Sequence, residues 1–358
     1  MSKGVEENDW WPDIAFGTYK VGGAPSDTKN AKEIDFVIGA ALDVGYRAFD
    51  CAQFYANEDL VGDALMKATN NFTKIKRSAL YIISKVWPDK IYEGPEAAVS
   101  QMKKSVIDLK CAYIDLFLVH WPPPGKHIAA YKALEDYVGK CAGNDGKLIK
   151  RLGVSNYTIN DYQELKEAGL KIKPYANQLE INPFLYRKKT IDFFQKEGIK
   201  LQGYRMFLVG GKTNILADTA TSTDAEKDVL SQISNKYPGK TKSNILIRWA
   251  IQKGIQPLPK SKNKDRIKEN FDVFDFDQAT RTGNVSTYWC AKGDGNASWN
   301  YSNIDGREAA ITTDVSVDPT SGSDDNDGDG SLQTLGYALS HVFPRGGEAK
   351  TINLVNYN

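Results

Sequence analysis

Four residues in the first third of the chain have side chains that could together handle a proton: Asp50, Tyr55, Lys85 and His120. A tyrosine phenol has a pKa of about 10, too high for easy proton exchange near neutral pH. A lysine ammonium beside the phenol favours the phenolate and lowers its pKa, and a carboxylate paired with the lysine keeps it charged and oriented. A histidine opposite them could hydrogen-bond an incoming carbonyl oxygen. These residue types therefore predict a unit that donates a proton to a carbonyl group.

Structural alternatives remain open for each of these residues taken alone. Asp50 and Lys85 could form a buried ion pair that serves only stability, and His120 could be a hydrogen-bonded core residue beside Trp121. The catalytic interpretation therefore depends on whether the fold brings all four residues to one place.

The elements that would position these residues are visible as apolar runs of strand length, each of which ends in a polar residue or a turn. Eight such runs occur: DIAFGTYK, YRAFDC, LYIISKVW, YIDLFLVHW, LIKRLGVSNY, YANQLEI, GIKLQGY and GIQPLPKS. Helical periodicity lies between most of them. It is clearest in residues 31–44, where Gly45 supplies a stop, and in residues 95–109, which begin at Pro95.

Alternation of strands and helices is typical of a parallel sheet with right-handed crossovers. Eight repeats favour a closed α/β barrel, the (β/α)8 TIM barrel, over an open doubly wound sheet. The polar residues at the strand ends should then converge on the C-terminal rim, where barrel enzymes place their chemistry. These residues are Asp50, Lys85, His120, Asn156, Gln178 and Lys260.

The composition narrows the class of protein. The chain has 46 basic and 45 acidic side chains and a net charge of +1, which argues against nucleic acid or a membrane surface as the main partner. No apolar run approaches the roughly 18 residues of a membrane span, and the polar start lacks the apolar core of a signal peptide. The four cysteines show no CxxC spacing. We expect a cytoplasmic protein with reduced thiols and no metal site, which is a monomer or a weak dimer.

The segment GYRAFDCAQFYANEDLVG, residues 45–62, closely resembles the signature of the aldo-keto reductase family. The resemblance continues in the family's order and spacing through ISKVW, FLVHWP, GVSNY, NQLEINPF and PLPKSKNKDRIKENF, and covers residues 14–276. It implies a barrel enzyme that reduces aldehydes or ketones with NADPH by hydride transfer. Asp50, Tyr55, Lys85 and His120 match the family's catalytic tetrad, in which Tyr55 is the general acid of the reduction.

The resemblance also implies contacts to the nicotinamide half of the cofactor. Ser155, Asn156 and Gln178 match residues that hydrogen-bond the carboxamide, and Tyr204 matches the aromatic residue that stacks on the ring. The other implied contacts at this end come from Thr18, Tyr19 and Asp50.

The adenosine half is implied to bind at the run KSKNKDR and the residues after it. Lys260, Ser261 and Arg266 match the group that holds the 2′-phosphate, and Glu269 and Asn270 match residues at the adenine. An arginine can grip a phosphate through two parallel hydrogen bonds, so NADPH is expected rather than NADH. Without the resemblance, the run would be interpreted as a solvated basic surface.

The chain departs from the family around the substrate. Tyr19 stands where the family has an active-site tryptophan, and the expected pocket wall is aromatic, with Tyr19, Trp87, His120 and Trp121. The loop after the fourth strand is short, which predicts an open pocket. The family's C-terminal cover of the pocket has no counterpart in RTGNVSTYWC, so the resemblance does not identify the substrate.

The composition changes near residue 278, where Gly, Asn, Ser and Asp become frequent. We predict a barrel in residues 1–278, an irregular linker in 279–315 and a small C-terminal segment in 316–358. The last segment loosely resembles the start of right-handed parallel β-helix proteins or the N-terminal appendage of asparaginyl-tRNA synthetases. The alternative is an acidic turn with an isolated β-hairpin or β–α–β fragment.

The leading functional hypothesis is therefore NADPH-dependent reduction of a small-molecule carbonyl substrate. The alternative is a barrel that binds NADPH as a sensor or partner subunit with little turnover. The intact set of Asp50, Tyr55, Lys85 and His120 favours the enzyme, because a protein that only binds the cofactor does not need all four groups.

Overall fold

The computed structural model describes residues 10–140, 148–183, 185–209, 213–214, 230–231 and 233–276, together with three short strands further along the chain. Ten strands lie within residues 10–276. They are Phe16–Gly17 (β1), Ala48–Asp50 (β2), Tyr81–Val86 (β3), Ile114–Val119 (β4), Ile149–Ser155 (β5), Ala176–Glu180 (β6), Lys200–Tyr204 (β7), Leu208–Val209 (β8), Thr213–Asn214 (β9) and Ile255–Pro257 (β10).

Nine helices are described, and most of them separate consecutive strands. They are Ala31–Val44 (α1), Glu58–Ala68 (α2), Pro88–Glu93 (α3), Pro95–Asp108 (α4), His127–Lys140 (α5), Ile159–Glu167 (α6), Lys188–Lys196 (α7), Lys242–Gln252 (α8) and Lys264–Phe271 (α9). In the part of the chain with assigned structure, no helix is long and apolar enough to cross a membrane.

The main sheet has eight parallel strands in the order β1-β2-β3-β4-β5-β6-β7-β10. It closes on itself, because the backbone N–H of Ala15 donates to the Pro257 carbonyl at 3.1 Å and that of Gly17 donates to the Pro259 carbonyl at 3.0 Å. The predicted (β/α)8 barrel is confirmed, and its eight strands fall within the eight predicted apolar runs. β8 and β9 form a separate antiparallel pair.

Local sequence explains the helix bounds. α1 begins after Asn30, whose side chain accepts a hydrogen bond from the Glu33 N–H, and it ends at Gly45. Gly45 has φ of 123°, a backbone conformation that glycine adopts without steric cost. The two helices predicted from periodicity are present as α1 and α4.

Strand alternation separates an apolar barrel interior from a polar rim. Tyr81 and Ile83 of β3 lie in the buried interior cluster, and Lys85 follows them at the same spacing of two residues. Leu116 and Leu118 of β4 belong to the same cluster. Because alternate residues of a strand share a face, the inward faces are apolar along most of their length and become polar at the C-terminal end.

The N-terminal segment closes the other end of the barrel with aromatic side chains. Trp11 packs edge-on against Tyr81, with ring centroids 5.8 Å apart, and against Tyr175 at 5.7 Å. The Arg151 guanidinium lies over the Tyr175 ring at 4.6 Å from its centroid. Among the described residues, this plug fills the N-terminal end of the barrel, opposite the C-terminal rim that carries the polar strand ends.

The remaining described strands are Val315–Val317 (β11), Ser331–Leu332 (β12) and Ile352–Leu354 (β13), which pair in parallel in the order β12-β11-β13. The rest of residues 277–358 lies outside the described residues. The predicted boundary at 278, the linker and the resemblances of the C-terminal segment therefore stay predictions.

Candidate active site

The four residues with acid–base chemistry meet at the rim. Asp50 is the last residue of β2, Tyr55 ends the short helical turn Gln53–Tyr55, and Lys85 lies near the end of β3. The Lys85 Nζ lies 2.8 Å from Asp50 Oδ1 and donates to the Tyr55 hydroxyl at 3.1 Å. The Tyr55 hydroxyl donates to Asp50 Oδ2 at 3.4 Å. All three side chains are buried. The Lys85 and Asp50 charges are therefore stabilised by hydrogen bonds inside the protein, which include one from Lys85 Nζ to the Cys51 carbonyl at 2.8 Å.

Burial changes the proton affinity of Tyr55 in a direction opposite to the one expected from sequence. Removal from water raises the pKa of the Tyr55 phenol well above its usual value, and the Asp50 carboxylate raises it further. The net shift is therefore upward, while Lys85, which donates to the hydroxyl, still favours the phenolate relative to burial alone. A raised pKa keeps Tyr55 protonated near neutral pH, which is the form that a proton donor needs.

His120 lies directly after β4, and its ring completes the group. Its centroid is 6.1 Å from that of Tyr55 and 4.8 Å from that of Trp87, in edge-on geometry. Burial lowers the pKa of His120 well below its usual value, and the nearby Lys85 charge lowers it further. The imidazole is therefore neutral near pH 7. A neutral imidazole carries one N–H, which can donate to a carbonyl oxygen without transferring its proton.

Aromatic side chains surround Tyr55 and His120 at the rim, and we call the space that they border the mouth of the site. The Tyr19 ring lies 5.1 Å from the Tyr55 ring, and Phe54 stacks on Trp87 with centroids 4.0 Å apart. Phe54 also meets the His120 ring edge-on at 6.5 Å. Of the four residues predicted for the pocket wall, Tyr19, Trp87 and His120 lie together around Tyr55 and Phe54; Trp121 follows His120 directly in the chain. Their contact with a substrate stays a prediction. Sequence reasoning missed Phe54, although its place directly before Tyr55 could have indicated it.

Three further predicted residues form one hydrogen-bonded group at the ends of β5 and β7. The Tyr204 hydroxyl donates to Asn156 Oδ1 at 2.7 Å, and Asn156 Nδ2 donates to Ser155 Oγ at 3.1 Å. Asn156 Nδ2 also donates to the backbone carbonyl of His120 at 2.9 Å. Asn156 has φ of 62°, a left-handed conformation that asparagine tolerates better than most residues. The turn thus aims an amide at the space beside His120.

Gln178 connects this group to the charged residues. Its Nε2 donates to Asp50 Oδ1 at 2.8 Å and to Gln202 Oε1 at 3.0 Å. Gln202 Nε2 in turn donates to Gln256 Oε1 at 2.5 Å. Gln202 and Gln256 are buried and were missed from sequence. The signal available for both was a polar residue inside an otherwise apolar strand.

The basic residues of the predicted phosphate site follow β10. Burial lowers the pKa of Lys260, and the charges of Lys262 and Lys20 lower it further, which shows that positive charges crowd here. The Lys262 Nζ pairs with Glu33 Oε1 at 2.9 Å. Ser261 Oγ accepts from the Asn263 N–H at 3.1 Å, directly before α9. Several cations and a helix N-terminus at one place favour an anion.

The residues predicted for the adenine lie on α9. Asn270 is buried, and Glu269 Oε1 accepts a hydrogen bond from the Thr241 hydroxyl at 2.7 Å. Arg266 is exposed, and its backbone N–H donates to the Asn263 side chain at 3.0 Å. Thr18 is buried at the other end of the site, where its hydroxyl donates to the Asp50 carbonyl at 2.9 Å.

Comparison with known proteins identifies relatives over most of the chain. The model described as "Aldo/keto reductase family" matches residues 13–282. A glycerol 2-dehydrogenase (NADP(+)) of Hypocrea jecorina is 34% identical over 286 residues, which cover 73% of this chain and 84% of that protein. A glyoxal reductase of Bacillus subtilis is 33% identical over 278 residues, which cover 77% of this chain and 87% of that protein.

Solved structures show the same likeness. An aldo-keto reductase of Bombyx mori in complex with NADP has a TM-score of 0.66 and 27% sequence identity, with 78% of this chain and 89% of that chain covered. An aldose reductase of Schistosoma japonicum has a TM-score of 0.65 and 26% identity, with 82% and 92% covered.

Proposed function

Because the chain belongs to the aldo-keto reductase family, we propose that Tyr55 is the general acid with which it reduces small aldehydes or ketones to alcohols. Membership makes the chain an NADP-dependent oxidoreductase that acts on carbonyl compounds.

Two hydrogen bonds of its hydroxyl, one from Lys85 and one to Asp50, support Tyr55 as the proton donor. The oxygen accepts from Lys85 Nζ at 3.1 Å and donates to Asp50 Oδ2 at 3.4 Å. When the phenol gives its proton to a carbonyl oxygen, the Lys85 ammonium stabilises the phenolate that remains, and Asp50 keeps Lys85 charged. Neutral His120 donates a hydrogen bond to the same carbonyl oxygen and orients it towards Tyr55.

The residues around the tetrad fit NADPH by the chemistry of their donors and acceptors. Bound NADPH supplies the hydride that the carbonyl carbon accepts. Gln178 Oε1 accepts no hydrogen bond from any of the described residues and suits the carboxamide N–H. Ser155 and Asn156 donate to the backbone carbonyls of Gln178 and His120 in this structure, and would turn a donor to the carboxamide oxygen when the cofactor binds. The Tyr204 ring covers one face of the nicotinamide.

The residues predicted for the adenosine half of NADPH suit its 2′-phosphate by their positive charge. Lys260, Ser261 and Arg266 lie around the N-terminus of α9, and the crowded positive charge at Lys260 is relieved when a phosphate binds. We assign the 2′-phosphate to these three residues, and the adenine to Glu269 and Asn270. Thr18 and Tyr19 border the nicotinamide end of the site.

The substrate class is proposed from the pocket and the relatives together. A glyoxal reductase and a methylglyoxal reductase are among the relatives, and the mouth is lined by Tyr19, Phe54, Trp87 and His120. We assign small reactive aldehydes to this chain on that basis. A cytoplasmic location and a monomeric or weakly dimeric state stay predictions from sequence.

Replacing the tyrosine hydroxyl tests the proposal. The wild-type chain should oxidise NADPH in the presence of methylglyoxal or nitrobenzaldehyde. Tyr55→Phe should lower kcat by roughly 100- to 10,000-fold, because it removes the proton donor, while the NADPH Kd stays within about threefold.

Tyr113→Phe is the matched control. Tyr113 lies directly before β4, at the opposite end of the barrel from the rim. The Arg77 guanidinium lies over its ring, with Cζ 3.9 Å from the ring centroid. The variant should keep full activity. Full activity of Tyr55→Phe would refute the proton donor. A wild-type chain that binds NADPH tightly and turns over no carbonyl compound would instead support the sensor hypothesis.

A further inference from the structure

A row of three buried glutamines on neighbouring strands runs from the site towards the N-terminal segment. The strand register sets Gln178 of β6 opposite Gln202 of β7, and Gln202 opposite Gln256 of β10. Their side chains form a continuous chain, from Gln178 to Gln202 at 3.0 Å and from Gln202 to Gln256 at 2.5 Å. The chain ends at the carbonyl of Pro12, which accepts from Gln256 Nε2. All three glutamines are at most 2% exposed.

The two ends of this row determine which way each amide points. A proline residue has no backbone N–H, and its carbonyl can only accept, so Gln256 must turn its NH2 towards Pro12 and its oxygen towards Gln202. Gln202 must then donate to Gln256 and present its own oxygen to Gln178. At the other end, the Asp50 carboxylate also only accepts, and it takes a hydrogen bond from Gln178 Nε2 at 2.8 Å.

Both hydrogens of the Gln178 amide are therefore used inside the protein. One goes to Asp50 and the other to Gln202. Its oxygen is the group left for a ligand, since no described residue donates to it. From this geometry we propose that Gln202 and Gln256 are positioning residues that hold Gln178 as a hydrogen-bond acceptor, so that the site selects a nicotinamide-ring substituent carrying an N–H donor.

This inference rests on the proposed contact between Gln178 and the carboxamide. Its consequence is selectivity between cofactor analogues. A 3-acetylpyridine analogue of NADP+ keeps the carbonyl of the carboxamide and replaces the NH2 by a methyl group. It would leave the buried Gln178 oxygen without a donor, which lowers affinity by roughly 5- to 100-fold.

The test compares the Kd values of NADP+ and this analogue, measured by quenching of tryptophan fluorescence. The wild-type chain should bind NADP+ more tightly by at least about fivefold. Gln202→Met frees one Gln178 hydrogen, lets the amide offer a donor, and should reduce the ratio of the two Kd values to about twofold or less. Gln202→Glu keeps an acceptor for Gln178 and, when protonated, a donor for Gln256, so it should retain the wild-type ratio.

Gln195→Met is the surface control, because Gln195 lies on α7 and its side-chain amide donates to the Lys253 carbonyl at 2.7 Å, away from the rim. It should not change the ratio. Gln256→Met supplies a second variant, with a smaller reduction in the same direction, should Gln202→Met fail to fold. An unchanged ratio in the glutamine variants, or equal binding of both ligands by the wild-type chain, would overturn the inference. Failure of the wild-type chain to bind NADP+ at all would instead overturn the cofactor contacts under the proposed function.

Discussion

The two sides of the barrel rim use different polar groups. On the side of β2 to β4, the contacts are between charges and a phenol, with Lys85, Asp50 and Tyr55 within 3.4 Å of one another. On the side of β5 to β7, the group of Ser155, Asn156 and Tyr204 joins neutral amides and hydroxyls, as in the pair of Tyr204 and Asn156 at 2.7 Å. We call this group the neutral side; the ion pair of Arg205 and Glu180 at the same strand ends lies outside it.

The difference follows from what each side must do. Moving a proton changes the charge of a buried group, so fixed charges nearby are needed to stabilise both states. Recognising a planar cofactor group needs donors and acceptors of fixed direction but no change of charge. Gln178 accepts a hydrogen bond from Ser155 of the neutral side and donates to Asp50 of the charged side at 2.8 Å, and it is where the two sides meet.

The largest effect should come from removing the cation of the charged side. Lys85→Met leaves the Asp50 carboxylate buried without its ammonium partner, which should destabilise the protein by roughly 3–5 kcal/mol in chemical unfolding. It should also lower kcat by at least about 100-fold, because the phenolate loses its stabilising charge.

The double variant Asp50→Asn/Lys85→Met separates these two effects. Two neutral groups avoid the unpaired charge, so much of the stability should return while activity does not. Lys104→Met, which breaks an exposed pair with Asp108 on α4, should cost less than about 1 kcal/mol. If Lys85→Met and Lys104→Met had the same free energy of unfolding, the buried ion pair would not stabilise this side of the rim.

A second test concerns a buried carboxyl below the charged side. Glu58 accepts from the Ser84 hydroxyl at 2.5 Å and from the Ser105 hydroxyl at 2.9 Å. Burial raises its pKa from 4.5 to about 7. The folded state therefore binds more protons than the unfolded chain in this interval, and its stability falls as pH rises through it. At about 1.4 kcal/mol per pKa unit, the loss between pH 4.5 and pH 7 is roughly 3 kcal/mol.

Glu58→Gln keeps an acceptor for Ser84 and removes the titration. Unfolding free energies measured from pH 4.5 to pH 8 should therefore show a flatter curve for the variant, with the two proteins differing most at the alkaline end. Parallel curves would mean that Glu58 ionises in the fold as it does in water.

The smallest effect is expected on the neutral side. Tyr204→Phe keeps the ring and removes the hydrogen bond to Asn156, which is worth about 1 kcal/mol. The NADPH Kd should rise roughly two- to tenfold, with stability nearly unchanged. Tyr113→Phe serves again as the control. A loss of stability or of kcat in Tyr204→Phe as large as that in Lys85→Met would contradict the difference proposed between the two sides.

The apolar runs and their polar ends were sufficient to predict the barrel and the rim at which Asp50, Lys85 and His120 meet, whereas the roles of the site residues came from the resemblance. Asp50, Lys85 and His120 each end or follow a buried strand, and parallel strands bring such ends to one rim. The tetrad could therefore be located before any distance was known. Phe54, Gln202 and Gln256 could not be located in the same way, because a single aromatic or amide residue in a strand or turn has many structural uses.

By itself, the sequence determined which residues lie on the rim, because strand alternation is a local property of the chain. The tertiary structure decided the protonation states and the directions of the hydrogen bonds. Tyr55 shows the first, since its pKa depends on removal from water by residues far apart in the chain. Gln178 shows the second, since its amide direction is set by the Asp50 carboxylate at one end and, through Gln202 and Gln256, by the Pro12 carbonyl at the other. Burial and cross-strand register arise only when distant segments pack against each other. Neither could therefore be predicted from the sequence.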